Sequence, residues 1–104
     1  MGSGLSEIMR RAKEVQQKIA KLQEEMANVT VEASAGGGMV KVIANGKGEV
    51  LAISIEKEVI DPGEQEMLQD LIVAAVNEAV RKAHGALAEE MAKITGGISL
   101  PGLF

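Results

Sequence analysis

Leu5, Ile8, Ala12, Val15, Ile19, Leu22, Met26 and Val29 recur at alternating steps of three and four, an unbroken heptad seam over about three heptads. Nothing from Leu5 to Ala27 breaks a helix, so this segment is expected to form one rod about 35 Å long at about 1.5 Å per residue. That rod constrains everything else. The chain has 104 residues, one domain at most, and a domain of this size buries only a modest share of its surface. A small sheet cannot cover the whole rod, so part of the seam is expected to pack on a second copy of the chain. The simpler alternative is a long helix packed on its own sheet alone.

Three runs with strand character follow. Val29 to Ala35 alternates, Met39 to Ala44 is rich in valine and isoleucine, and Val50 to Ile55 comes after Asn45-Gly46-Lys47-Gly48. Asn-Gly between apolar runs is the strongest short hairpin signal, because both residues tolerate positive φ. The glycines of this region also raise the possibility of a phosphate cradle. Such a cradle needs Gly-x-x-x-x-Gly-Lys-Ser/Thr or Gly-x-Gly-x-x-Gly feeding a helix, whose first amides are the donors. Gly36-Gly37-Gly38 and Gly46-Lys47-Gly48 lead into strands instead, so they read as turns of an antiparallel meander and specific ATP binding is not expected.

A second helix opens at Asp61-Pro62-Gly63-Glu64, with Asp61 as N-cap, Pro62 at the first helical position and Glu64 at the capping-box position. Leu68, Leu71, Ile72, Ala75, Val76, Ala79, Val80 and Ala83 then make a broad stripe of small apolar side chains, suited to a sheet or a symmetry mate. From it, Leu68, Leu71, Ile72, Ala75, Val76 and Ala79 are expected to form a dimer interface. Gly85 costs about 1 kcal/mol relative to alanine in a helix, so a break or kink is expected there before residues 86–94 continue. Gly96-Gly97 stops the helix, and "ISLPGLF" is expected to dock as an extended segment or to stay mobile. The whole reads as one α+β domain over residues 1–104, with residues 1–4 flexible and 96–104 as the tail.

Composition removes several function classes. The chain has no cysteine, so disulfides and thiolate chemistry are out of reach. His84 is the only histidine and has no second histidine or cysteine with which to hold zinc. The serines are scattered, with nothing like a nucleophile elbow. Glu56, Glu58 and Asp61 cluster after the third strand, where a hard cation could bind weakly, but a solvated strand end is the simpler reading. No enzyme, cofactor or small-molecule substrate is expected. The longest strongly apolar run, Leu71 to Val76, is too short for a bilayer, and the N-terminus has no apolar signal core, so the expected setting is the cytoplasm.

The net charge of −4 is uneven along the chain. Residues 1–28 carry five bases against four acids, a net of +1, whereas the remainder carries six bases against eleven acids, a net of −5. Anion binding should therefore be local. Arg10, Arg11, Lys18 and Lys21 fall within about 100° of the first helix's circumference, taking about 100° per residue, but Glu7, Glu14 and Glu25 share that sector. From spacing alone the first reading is a solvated coiled-coil face held by internal ion pairs; duplex contact is the second. Phe104 is the only aromatic residue, so no platform exists for stacking splayed bases, and single-strand readers are disfavoured. Duplex binding through phosphates needs only placed cations.

"TVEASAGGGMVKVIANGKGEVLAISI", "DPGEQEMLQDLIVAAVNEAVRKA" and the ending "ITGGISLPGLF" closely resemble the YbaB/EbfC family of bacterial nucleoid-associated proteins, from the first helix to the last residue. The resemblance implies an α-β-β-β-α domain forming a tweezer-shaped homodimer. It implies binding to double-stranded DNA, a change in DNA conformation, and a part in nucleoid organisation and gene regulation. The helical prongs are implicated in DNA contact, and the matching regions are Leu5 to Ala27 and roughly Val80 to Ile94. Contact residues chosen within them on physical grounds are Arg10, Arg11, Lys18 and Lys21, with Arg81, Lys82 and Lys93 as secondary candidates. The competing expectation is a coiled-coil module that recruits another protein without touching DNA.

Overall fold

The computed structural model describes residues 2–96. Helix α1 (Gly2–Met26) leads into strands β1 (Thr30–Ala35), β2 (Val40–Asn45) and β3 (Val50–Ile55), and helix α2 (Gln65–Thr95) follows two short 3-10 turns. The strands form one antiparallel meander in the order β1-β2-β3. The α+β architecture read from the sequence is the one observed. Helix α1 starts at Gly2, ahead of the expected Leu5. The tail expected from residue 97 onward lies outside the described residues.

Register decides what α2 can cover. Val31↔Ala44, Ala33↔Val42 and Ala35↔Val40 place small and branched side chains together on one face of the sheet. Against that face pack Ala75 and Ala79, and these two alanines form one buried cluster with Ala33, Val40, Val42 and Ala44. Alanine on the helix lets the backbone approach the sheet closely, so a core forms without large side chains. Helix α2 lies over β1 and β2 and reaches β3 only at its margin. As a result β3 is exposed along almost its whole length.

Of the two hairpins, one departs from the expected turn chemistry. At the second, neither Asn45 nor Gly46 has positive φ; Gly48 does, at 85°. The Gly48 amide donates to the Asn45 carbonyl at 3.0 Å, and Asn45 Oδ1 accepts from the amides of Lys47 and Glu49. Asparagine therefore acts through its side chain, and the left-handed position falls on the glycine three residues later. The register slips there, with Ile43 opposite Ala52 and Ala44 opposite Val50, a bulge that leaves Leu51 unmatched. At the first hairpin Gly36, Gly37 and Gly38 all have positive φ and lead into β2, as a turn rather than a helix-feeding cradle.

Gly46 is constrained by α1. Its amide donates to the Met26 and Val29 carbonyls at 2.9 Å each, supplying a partner to the last turn of the helix. A side chain on Gly46 would meet Met26 Cε and, at 2.8 Å, the Met26 carbonyl oxygen. The turn thus anchors α1 to the sheet. At the start of α2 the capping box is half formed: Asp61 Oδ1 accepts from the Gly63 amide at 2.9 Å, but residues 62–64 make a 3-10 turn and α2 begins at Gln65. The break expected at Gly85 is absent, since α2 runs unbroken to Thr95. A cost of about 1 kcal/mol is small beside the packing on either side, where Ala83 is fully buried and Leu22 and Met26 of α1 lie against the next turns.

Candidate nucleic-acid interface

Helix α1 meets α2 only through its C-terminal half. Residues Leu22, Met26 and Val29 lie beside Ala86 and Glu90, while Lys18, Lys21 and Leu22 lie beside Lys93 and Ile94. As numbers rise along α1 they fall along α2, so the helices run antiparallel. Helix α2 ends at Thr95, and the first four turns of α1 continue past it as a prong uncovered among the described residues. The molecule measures 74 × 26 × 16 Å, an elongation that this prong produces. Leu22 and Met26 of the heptad seam are buried within the chain, whereas Leu5 and Ile8 are 63% and 66% exposed.

The prong carries its cations in ion pairs. Arg10 donates to Glu7 and, at 2.8 Å, to Glu14, and Arg11 Nε lies 3.3 Å from Glu7. The Arg10 guanidinium, and secondarily Arg11, holds the Glu7 carboxyl below the usual carboxylate range, and Glu7 in turn raises Arg10. All three side chains are largely exposed, so the pairs are weak and exchangeable. A phosphate approaching the prong competes with carboxylates already in place. Lys13 and Lys18 take part in no ion pair among the described residues.

Further down, three of the sequence-selected cations converge. Lys18 and Lys21 of α1 and Lys93 of α2 line one open groove of about 330 Å³ between the helices, together with Glu25 and Glu90. Lys21 is 4.0 Å from Glu25, and Lys93 is 2.9 Å from Glu90, which raises the lysine's pKa by hydrogen bonding and charge. Spacing along a single helix could not reveal this meeting, because it depends on how the helices cross.

Arg81 and Lys82 lie apart from that groove. Arg81 is paired with Glu78 at 2.7 Å, which holds the Glu78 carboxyl low. Lys82 Nζ donates to the Glu32 carbonyl at 2.8 Å, covering an acceptor on the outer edge of β1. In this structure Lys82 is engaged with the sheet. Two cations outside the sequence selection also sit near α1. Lys13 borders the prong surface with Met9, Arg10 and Gln16, and Lys47 projects from the β2–β3 turn beside Gln23 and Glu24. The signal for Lys47 was its place in the Asn-Gly-Lys-Gly turn, whose docking against α1 the sequence does not reveal.

A family model described as the YbaB/EbfC DNA-binding family matches residues 1–98. The chain belongs to this family. A nucleoid-associated protein of Pelotomaculum thermopropionicum is 50% identical over 104 residues, covering 100% of this chain and 99% of its own. One from Syntrophobacter fumaroxidans is 56% identical over 95 residues, 91% of this chain and 86% of that one. The crystal structure of an uncharacterized protein from Helicobacter pylori has the same fold, with a TM-score of 0.68 at 22% identity, covering 89% of this chain and 94% of that one. The description of the YbaB/EbfC family names DNA binding and no reaction.

Within this member of the YbaB/EbfC family, the apolar stripe of α2 expected to form a dimer interface packs, within the subunit, on the sheet. Ala75 and Ala79 are fully buried in the chain's own core, and Leu68, Leu71, Ile72 and Val76 pack around them. The small residues that suit a symmetry mate suit the sheet equally, and the sheet is covalently at hand. Spare apolar surface lies on β3, where Val50, Leu51 and Ile53 are exposed, as well as along the prong. Among the described residues no group of three or more histidine, cysteine or acidic side chains is placed to hold a metal ion. No helix among them is long and apolar enough to cross a membrane.

Proposed function

We propose that this chain is a nucleoid-associated protein that binds double-stranded DNA as a homodimer, largely through phosphates. The observation that carries the reading is the convergence of Lys18, Lys21 and Lys93 at the base of a prong bearing Arg10 and Arg11, in a chain acidic elsewhere. Cations on a rod and at its root suit a curved, repeating array of phosphates better than a small ligand. Family membership and the relatives' names support DNA as the target. The site of action is then the nucleoid in the cytoplasm, and the consequence of binding is altered DNA conformation and gene regulation.

The dimer proposed here buries β3. That strand is an edge with an apolar sequence broken only by Ser54, Val50-Leu51-Ala52-Ile53-Ser54-Ile55, and no charge of its own. An exposed apolar edge of this kind is an invitation to pair, and a second copy covers it at no risk of open-ended association if the contact is two-fold. Two prongs then project from a shared base and straddle a duplex. Arg81 is a secondary contact in this arrangement, and Lys82 becomes available only on leaving Glu32.

The test is a fluorescence-anisotropy titration of duplex DNA at two salt concentrations. About four to six phosphate contacts per dimer give a slope near −0.9 for each, and a loss of about two to three orders of magnitude in affinity between about 50 and 200 mM salt. Reversing Arg11 and Lys18 together is expected to weaken binding to all duplexes alike and to flatten the slope, with the dimer intact. Unchanged affinity and slope would overturn the prong contact.

The second reading is a helix that recruits another protein, and the exposure of Leu5, Ile8 and Met9 along the prong favours it. It requires no salt-dependent binding to purified duplex, so the same titration separates the two.

A further inference from the structure

An asparagine followed by glycine is a chemically labile pair. The glycine amide nitrogen attacks the asparagine Cγ, a C–N bond forms, the carboxamide nitrogen leaves as ammonia, and water opens the resulting cyclic imide to aspartate or isoaspartate. Glycine favours the attack because no β-carbon obstructs it. The chain contains one such pair, Asn45-Gly46. Every group the reaction needs is committed elsewhere in the fold. The Gly46 amide donates to the Met26 and Val29 carbonyls at 2.9 Å each. Asn45 Oδ1 accepts from the amides of Lys47 and Glu49 at 3.0 and 3.1 Å, and Nδ2 donates to Glu49 Oε1 at 2.8 Å. Asn45 is 4% exposed and Gly46 is buried, which also keeps out the water that would open the imide. The nucleophile is thus held by the end of α1 and the electrophile by the β2–β3 turn, and freeing the nucleophile requires the root of α1 to lift from the sheet.

We propose that Asn45 is a deamidation site gated by the docking of α1, closed while Met26 and Val29 hold the Gly46 amide and reactive when the helix root opens. The product does not close again. Aspartate at position 45 has no N–H to give Glu49 and sets a carboxylate where Nδ2 stood, at hydrogen-bond distance from a second carboxylate, and like charges so close oppose each other. Isoaspartate adds a methylene to the backbone of the turn that presents Gly46 to α1. A transient local opening is thereby turned into a lasting one, and the long helix loses its anchor to the sheet. This inference goes beyond DNA binding and does not depend on it.

The full-length protein is incubated at mildly alkaline pH, native and unfolded in urea, and Asn45 deamidation is followed by mass spectrometry of proteolytic fragments. The native protein is expected to react at least about a hundredfold more slowly than the unfolded one. A native rate within about threefold of the unfolded rate would overturn the gate. In urea below the unfolding transition, deamidation of Asn45 and hydrogen exchange of the Gly46 amide are expected to rise together, and deamidation rising ahead of exchange would show a route that leaves α1 docked and would equally overturn it. Asn45→Asp, which stands for the product, is expected to speed exchange at Gly46 about tenfold, and Asn45→Asp/Glu49→Gln, which returns a donor opposite the new carboxylate, to recover most of that protection. No acceleration in the first variant, or no recovery in the second, would sink the lasting effect.

Discussion

Gly46 and Met26 tie the long helix to the sheet through contacts that no other residue type permits. A β-carbon at Gly46 would press on a helix carbonyl, which cannot swing aside as a side chain can. Gly46→Ala is therefore expected to cost about 1–3 kcal/mol in denaturant unfolding, like other overpacked sites. Arg10 poses the opposite case, a contact made but easily exchanged. Replacing Glu7 and Glu14 by glutamine releases Arg10 and Arg11, and duplex affinity at low salt is expected to rise about three- to tenfold with a steeper salt slope. The same pairs set an acid response. Hydrogen bonding to Arg10 lowers Glu7 from its ordinary value of 4.5, and Arg81 does the same for Glu78. Their contribution to stability is present above that value and is lost as pH falls through the lowered ones. Carbon-detected NMR titration is expected to show both carboxyls titrating below the ordinary glutamate value.

The heptad seam reads from sequence as one element with one role, yet the structure divides it. Its C-terminal half is core, with Leu22 and Met26 under α2, and its N-terminal half is surface. Periodicity records only that a face is apolar; what covers it depends on where α2 crosses and stops. The stripe on α2 teaches the same lesson from the other side, because Ala75 and Ala79 fit a sheet or a symmetry mate equally until the sheet claims them. Helix α2 is nevertheless too narrow to cover three strands, and β3 is what remains. Ile53→Asp is expected to leave the secondary structure of the subunit intact by circular dichroism, since Ile53 is 45% exposed, while weakening the proposed β3 dimer about a hundredfold or more by light scattering. Ala79→Leu is expected to do the reverse, disrupting the fold itself by forcing α2 off the sheet.

At the scale of the whole molecule, shape governs how charge is used. A chain with a net charge of −4 repels DNA on average, so binding relies on carrying its cations away from the acidic body. In the proposed contact the prong does this, drawing the molecule out to 74 Å overall. Single strands are expected to bind more weakly than duplex in the same anisotropy assay, since Phe104 is the only aromatic side chain and none is available for stacking along α1.

Sequence alone determined the local features: three strands at their observed places to within a residue, the long first helix, the turns at the glycines, and a charge pattern with its favourable bases at the N-terminal end. These are legible because each depends on neighbours a few residues away, through periodicity, pairing at i,i+3 or i,i+4, and the freedom of glycine. The family too was legible, since long runs such as "DLIVAAVNEA" carry more information than any single motif. The tertiary structure decided what depends on residues far apart in the chain. It carried α2 straight through Gly85, moved the positive φ of the second turn from Asn45-Gly46 to Gly48, engaged Lys82 with β1, and brought Lys93 to Lys18 and Lys21. In each case local preferences of about 1 kcal/mol left more than one outcome open, and packing between distant elements, worth more in sum, chose among them.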